Sequence, residues 1–305
     1  MPSNNVRNII FDSVIKQMVQ KDLYVLNSDM TGGPFIEINK RFPERYVQVG
    51  IAEQNMIAVA CGLALAGKTP ITYSPSPFVF LRAFDQIRNA IGSMSLKVVM
   101  VANGQGFVNP SFGSTHFPTE CYNMISLCPN IEYCAVSDEP MAYSLSDYII
   151  NDLKQSMFVT IDFLCDGTIK SDESVDMSNG WRYIRNCTEK NTLIISHGYL
   201  TRVAIENEYK TKTSIIEIFK SPYDRSALID ELRKYKKIIV AEEYQLRGGL
   251  GSEISSLVIN NNIKSSVKCL GINYGDKFPD VVGTREYFMS KFGVDKEKLL
   301  VAVDG

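Results

Sequence analysis

The stretch YVQVGIAEQNMIAVACGLALAG, residues 46–67, holds the deciding pattern of the chain. A β-branched run closes at Gly50, and a helix of small apolar residues begins almost at once. A strand passing directly into a helix is the unit from which parallel sheets are built. One acid, Glu53, stands at the joint. Ligands of open α/β sheets bind at the carboxyl ends of the strands, so an acid there has two readings. Either it complements the positive end of the helix dipole, worth about 0.3–1 kcal/mol, or it acts on something bound.

The same alternation extends on both sides. DLYVLNSDM and RYVQVG read as strands, and LKVVMVANG is a near-continuous β-branched run suited to a parallel strand covered on both faces. Helices are expected over 53–66 and about 79–92, then the strand IEYCAV, a helix near 141–154 and the strand SMFVTIDFL. Residues 166–190 are polar and weakly periodic, a surface meander or linker. After it the order restarts with TLIISHG, SIIEIF, KKIIVAEE and SVKCLGI, separated by helical stretches. Two such sets predict an α/β chain of two doubly wound domains with mainly parallel sheets.

Composition narrows the class. Of 305 residues, 45% are hydrophobic and 22% charged, enough for a sizeable core. A formal net charge of −2 gives no electrostatic case for nucleic acid or a membrane surface. No signal peptide and no apolar run of about 20 residues is present, and the seven scattered cysteines form no CxxC pair. This combination predicts a cytoplasmic chain with reduced thiols. Two histidines, His116 and His197, leave no His-rich metal site.

FPERYVQVGIAEQNMIAVACGLALAGKTPI resembles the pyrimidine-binding domain of the transketolase family of thiamine diphosphate enzymes, through Arg45 and the run Gly50–Asn55. The resemblance continues through RAFDQIRNAI, GSTHFPTE, LCPNIEYCAVSDE, VAEEYQLRGGLGSEIS and LGINYGDKF, the last two similar to the family's C-terminal domain. It implies a pyrimidine-binding domain over residues 1–170, a linker over 171–190 and a transketolase C-terminal domain over 191–305. In that family a glutamate hydrogen-bonds the pyrimidine nitrogen of thiamine diphosphate and promotes the imino form of its amine, which takes the C2 proton. Glu53 matches that position, and the resemblance assigns it a catalytic and cofactor-binding role.

The family also places an aromatic ring against the aminopyrimidine, and SPSPFVFLRAFDQIR offers Phe78 or Phe80. Phe80, Phe84, Ile87 and Ile91 follow helical spacing, a core stripe, while Phe78 lies before it on a segment stiffened by Pro75 and Pro77. His116, in GSTHFPTE, matches the histidine that faces the substrate, where an imidazole can donate to an oxyanion or shuttle a proton near pH 7. His197 matches no catalytic position. The glycine turn 248–251 lacks the spacing of a phosphate loop.

Two absences shape the expectation. Full-length family members hold the diphosphate and Mg²⁺ with a Gly-Asp-Gly motif and a later asparagine on a separate domain. This sequence has no Gly-Asp-Gly, so both groups are expected on a partner chain, an N-terminal-section subunit, in an α2β2 assembly acting on a sugar or sugar-like substrate. Arginines usual before the linker in sugar-phosphate enzymes are also missing. Asp162 and Cys165 stand there in TIDFLCDG, and an acid at that place is expected to repel a phosphate. The leading reading is two-carbon ketol transfer from a ketose to an aldehyde. A 2-oxo acid dehydrogenase β-like chain, a deoxyxylulose-phosphate-synthase-like chain and a non-catalytic regulatory module are the alternatives.

Overall fold

The computed structural model describes residues 5–169, 174–206 and 213–305. Contacts divide the chain into two compact units, Met1–Gly104 with Met124–Met177, and Gln105–Asn123 with Ser178–Gly305. Residues 170–173, inside the stretch read as a linker, lie outside the described residues.

In the first unit the strands are β1 (Leu23–Asn27), β2 (Tyr46–Gln48), β3 (Thr69–Pro75), β4 (Val99–Asn103), β5 (Ile131–Ala135) and β6 (Ser156–Ile161). They lie in the order β5-β6-β4-β3-β1-β2, with every pairing parallel. All residues of β4, β5 and β6 are buried, which explains why LKVVMVANG shows no alternation: both faces carry helices. Helix Val6–Gln17 starts where the Asn5 side chain accepts the Asn8 N–H at 2.9 Å, and helix Glu139–Asn151 where Asp138 accepts that of Met141 at 3.0 Å. Such caps satisfy donors that a helix cannot satisfy internally and contribute about 1 kcal/mol each. Phe11, Phe35 and Tyr73 close this core with centroid separations of 4.8–5.4 Å.

Because β2 lies beyond β1 and β3 on its other side, the chain reverses its winding direction between β1 and β3. A crevice forms at such a switch point, at the carboxyl ends of the strands. Helix Glu53–Leu65 leaves β2 and crosses over β1 toward β3. The stretch expected as one helix over 79–92 is instead broken into wide turns over Pro77–Arg82 and Ile87–Gly92, joined by a short α segment at Phe84–Gln86. Over-wide helical turns cluster at functional sites.

The second unit holds β7 (Trp181–Arg185), β8 (Thr192–Ser196), β9 (Thr213–Ile218), a two-residue β10 (Lys220–Ser221), β11 (Lys237–Gln245) and β12 (Ser266–Ile272). Its sheet runs β12-β11-β8-β9-β7, parallel except for β7. β7 falls in the stretch read as a polar meander. It is an edge strand of uniformly intermediate burial, so neither alternation nor an apolar run marks it in sequence.

Residues 105–123 pack into this unit. Phe107 sits 5.1–5.5 Å from the rings of Phe117, Phe288 and Phe292, within a core that includes Ile194, Ile215 and Ile239. Glu243 accepts the Phe107 N–H at 2.9 Å and forms a two-pronged ion pair with Arg285, whose guanidinium lies 3.6 Å over the Tyr199 ring. Two helix starts that follow strands of this sheet are met by the chain's own side chains. Gln105 Oε1 accepts the Tyr199 N–H at 3.1 Å, and the Glu242 carboxylate accepts those of Leu250 and Gly251 at 2.8 and 2.9 Å. Burial pushes Glu242 up to about 8 despite these two donors.

His197, at the end of β8, is fully buried between Tyr122 and Tyr244, with no hydrogen-bond partner for either ring nitrogen among the described residues. Desolvation lowers its pKa to about 3. The neutral ring is thus the folded form, so its contribution is complete above the unfolded value of 6.5 and is lost as pH falls toward 3. Between pH 7 and pH 5 this one group is expected to remove about 2 kcal/mol of stability. His197→Phe keeps the edge-on ring packing and should flatten that acid limb in urea titrations at the two pH values. An unchanged limb would place the acid sensitivity elsewhere.

Candidate functional site

Glu53 is the first residue of helix Glu53–Leu65 and is 2% exposed, although it is an acid standing at the end of an edge strand. Ala52, which precedes it, offers no capping side chain. The carboxylate does not cap either: Oε2 accepts from Arg82 Nη1 at 2.5 Å. The dipole reading of this acid therefore explains its position but not its burial. A buried carboxylate needs a committed partner, and here the partner comes from the wide turn 77–82, 29 residues along the chain.

That turn supplies the aromatic as well. The Arg82 guanidinium lies 4.5 Å from the centroid of Phe78, which is half-buried. Arg82's carbonyl accepts from Gln54 Nε2 at 3.0 Å, fastening the turn to the first turn of the helix. Glu53, Arg82 and Phe78 thus form one stack at the edge of the first unit. Phe80 is not part of it. Its ring is fully buried, 5.3 Å from Phe84 and 4.8 Å from Phe158, a core position with both neighbours supplied by the chain.

His116 belongs to the second unit. Two tight turns, Pro110–Phe112 and Ser114–His116, are joined by Gly113 at φ 77°, a left-handed conformation that glycine adopts without strain. Thr115 Oγ1 lies 3.0 Å from His116 Nδ1, and the exposed Phe112 ring packs on the imidazole at 4.9 Å. Partial burial lowers the His116 pKa, which favours the neutral imidazole that donates through one nitrogen and accepts through the other.

The acid expected to repel a phosphate is not placed to do so. Asp162 is fully buried and its carboxylate accepts the Leu164 N–H at 2.9 Å, capping the turn Phe163–Cys165, while Cys165 is fully buried too. Neither side chain presents itself to a ligand, so these two residues give no reason to exclude a phosphorylated substrate. Arg82 is a functional candidate to which the sequence reading assigns no role, although it opens the stretch RAFDQIRNAI. Its trace in the sequence is an arginine interrupting the apolar run PFVFLRAF.

Among the described residues no group of three or more His, Cys, Asp and Glu side chains is arranged to hold a metal ion. No helix among them is long and apolar enough to cross a membrane.

The family model described as transketolase, pyrimidine binding domain, matches residues 10–161. One subunit of the apulose-4-phosphate transketolase of Actinobacillus succinogenes is 26% identical over 298 residues, covering 95% of this chain and 93% of that protein. The 1-deoxy-D-xylulose-5-phosphate synthases of Azoarcus sp. and Dictyoglomus thermophilum are 25% and 29% identical over 288 and 276 residues, 90% and 85% of this chain. The chain spans only 43% and 42% of those two synthases. A solved chain described as split gene transketolase, inactive beta4 tetramer, has the same fold, with a TM-score of 0.83 at 22% identity over 98% of this chain and 97% of that one. The chain belongs to the transketolase family and corresponds to its C-terminal section, with the pyrimidine-binding domain at residues 10–161.

Proposed function

We propose that this chain is one half of a split, thiamine-diphosphate-dependent enzyme that moves a two-carbon ketol unit from a ketose to an aldehyde. It acts only with a partner subunit carrying the diphosphate and Mg²⁺ site. The observation that carries this reading is the buried carboxyl of Glu53 at the carboxyl edge of a switch-point sheet, with a half-buried aromatic ring one guanidinium away. These residues fit an aminopyrimidine: Phe78 offers a ring to stack on, and Glu53 a carboxyl that can share a proton with a ring nitrogen in a dry position. The core packing of Phe80 favours Phe78 for the stacking role.

Thiamine diphosphate, when bound, supplies the nucleophilic carbon and the electron sink that two-carbon transfer needs. The protein's part is to orient and to move protons. Glu53 holds and returns a proton at its carboxyl, and burial keeps water from competing for it. His116, neutral near pH 7, can donate to a developing oxyanion or take a hydroxyl proton.

Nearly full-length coverage of one subunit of a known transketolase supports the split arrangement, and the description of the similar solved chain as an inactive beta4 tetramer fits a chain that needs its partner. The similarity to deoxyxylulose-phosphate synthases supports a second reading, in which the two-carbon donor is a 2-oxo acid and is decarboxylated.

Calorimetric titration of thiamine diphosphate with Mg²⁺ tests the reading, first into this chain alone and then into its complex with the Gly-Asp-Gly subunit. Binding in the complex only, followed by turnover of a ketose and an aldehyde without release of CO₂, is the expected result. CO₂ release from a 2-oxo acid would select the second reading. Tight binding by the lone chain, or none in either, would overturn the split-site assignment.

A further inference from the structure

Arg82 contacts both residues that are proposed to meet the cofactor's pyrimidine. Its guanidinium is flat, lies over the face of Phe78 at 4.5 Å, and donates to Glu53 Oε2 at 2.5 Å. Those are the two contacts that the proposed function asks of an aminopyrimidine: stacking on the aromatic ring and a hydrogen bond to the buried carboxyl. A guanidinium is suited to mimic it, since it is planar, delocalised and stacks on aromatic faces while presenting in-plane N–H donors. We propose that Arg82 is a placeholder for the pyrimidine ring, occupying the gap between Phe78 and Glu53 in the cofactor-free chain and swinging into solvent when the cofactor binds. This inference rests on the reading of Glu53 and Phe78 given above.

The asymmetry of burial supports displacement rather than permanent partnership. The Arg82 side chain is 42% exposed, whereas that of Glu53 is 3% exposed. Arginine can regain water by rotating its side chain, but the carboxyl cannot follow it. Once the arginine leaves, Glu53 is a buried polar group without its partner, a costly state that an incoming hydrogen-bonding ring relieves. The Gln54 Nε2 bond to the Arg82 carbonyl, 3.0 Å, holds the backbone of the turn, so the exchange needs only side-chain torsions. The placeholder also keeps Phe78 covered and Glu53 paired until the partner subunit and cofactor arrive.

Arg82→Met removes the charge and the donors while keeping an extended side chain, and Arg82→Lys keeps the charge without the plane. Affinity and association rate of thiamine diphosphate with Mg²⁺ would be measured by calorimetry and stopped flow on the complex with the Gly-Asp-Gly subunit, beside melting of the cofactor-free chain. Competition from a half-exposed ion pair and a cation–π contact predicts binding roughly three- to thirtyfold tighter for Arg82→Met, with faster association, a lower melting temperature without cofactor, and Arg82→Lys in between. Equal or weaker binding by Arg82→Met, with the wild-type complex binding normally and Glu53→Gln impaired, would overturn the placeholder and make Arg82 a positioning residue or a structural one. If the wild-type complex does not bind at all, the reading of Glu53 and Phe78 fails, and the placeholder with it.

Discussion

Glu53→Gln, in the complex of this chain with the proposed partner subunit, is expected to lower turnover by at least about 100-fold, the lower end of what a positioned proton-transfer group contributes. The substitution is nearly isosteric. Its amide oxygen can still accept from Arg82, so the helix start and the wide turn 77–82 stay joined. What glutamine cannot do is hold an acidic proton and return it. The free variant chain should therefore melt within a few degrees of wild type while the complex loses activity. Steady-state rates with saturating thiamine diphosphate, alongside thermal melting, separate the two effects. A loss below about tenfold would return Glu53 to the role of an acid that complements a helix dipole.

Arg285→Met should produce the largest loss of stability, about 3–5 kcal/mol in urea unfolding of the second unit. Arg285 and Glu243 are each 4% exposed as side chains, and they meet through two N–H···O contacts. Removing the cation leaves Glu243 charged in a packed interior, with the Phe107 N–H as a donor but no counter-charge from Arg285. That is a large share of a typical domain's 5–15 kcal/mol. Replacing both partners, Arg285→Met with Glu243→Met, deletes the stranded charge and should recover most of the loss, because a buried pair is often no better than apolar residues of similar volume. A single-variant cost under about 1 kcal/mol would mean that the pair is solvated in solution.

The parallel sheets are legible in the sequence because their strands are covered on both faces: LKVVMVANG and SMFVTIDFL must be apolar throughout, and β4 and β6 are fully buried. Glu53 is conspicuous as a lone acid between a strand and an apolar helix, but pattern alone leaves the dipole reading open, and only the family resemblance of Gly50–Asn55 proposes a role for it. Arg82 is not legible, since its partner is set by contact across 29 residues rather than by local pattern. Burial, which one sequence does not display, separates Phe78 from Phe80. The Arg285–Glu243 pair does leave a trace. The consecutive acids of KKIIVAEEY end an apolar strand on opposite faces, so if both are buried, each needs its own partner. Glu242 takes two backbone N–H groups and Glu243 an arginine.

The second unit's handling of its helix starts has a wider consequence. In an α/β sheet those N–H groups are natural seats for phosphate and other anions. Gln105 and Glu242 already occupy the two beside Tyr199 and Leu250, Glu242 with a full carboxylate when ionised. The unit carries tethered surrogates for a ligand, present at an effective concentration that a free anion would have to outcompete. At these two helix starts the second unit meets the N–H groups with its own side chains. The surrogate proposed for the first unit, Arg82, differs in being carried by a side chain that is 42% exposed.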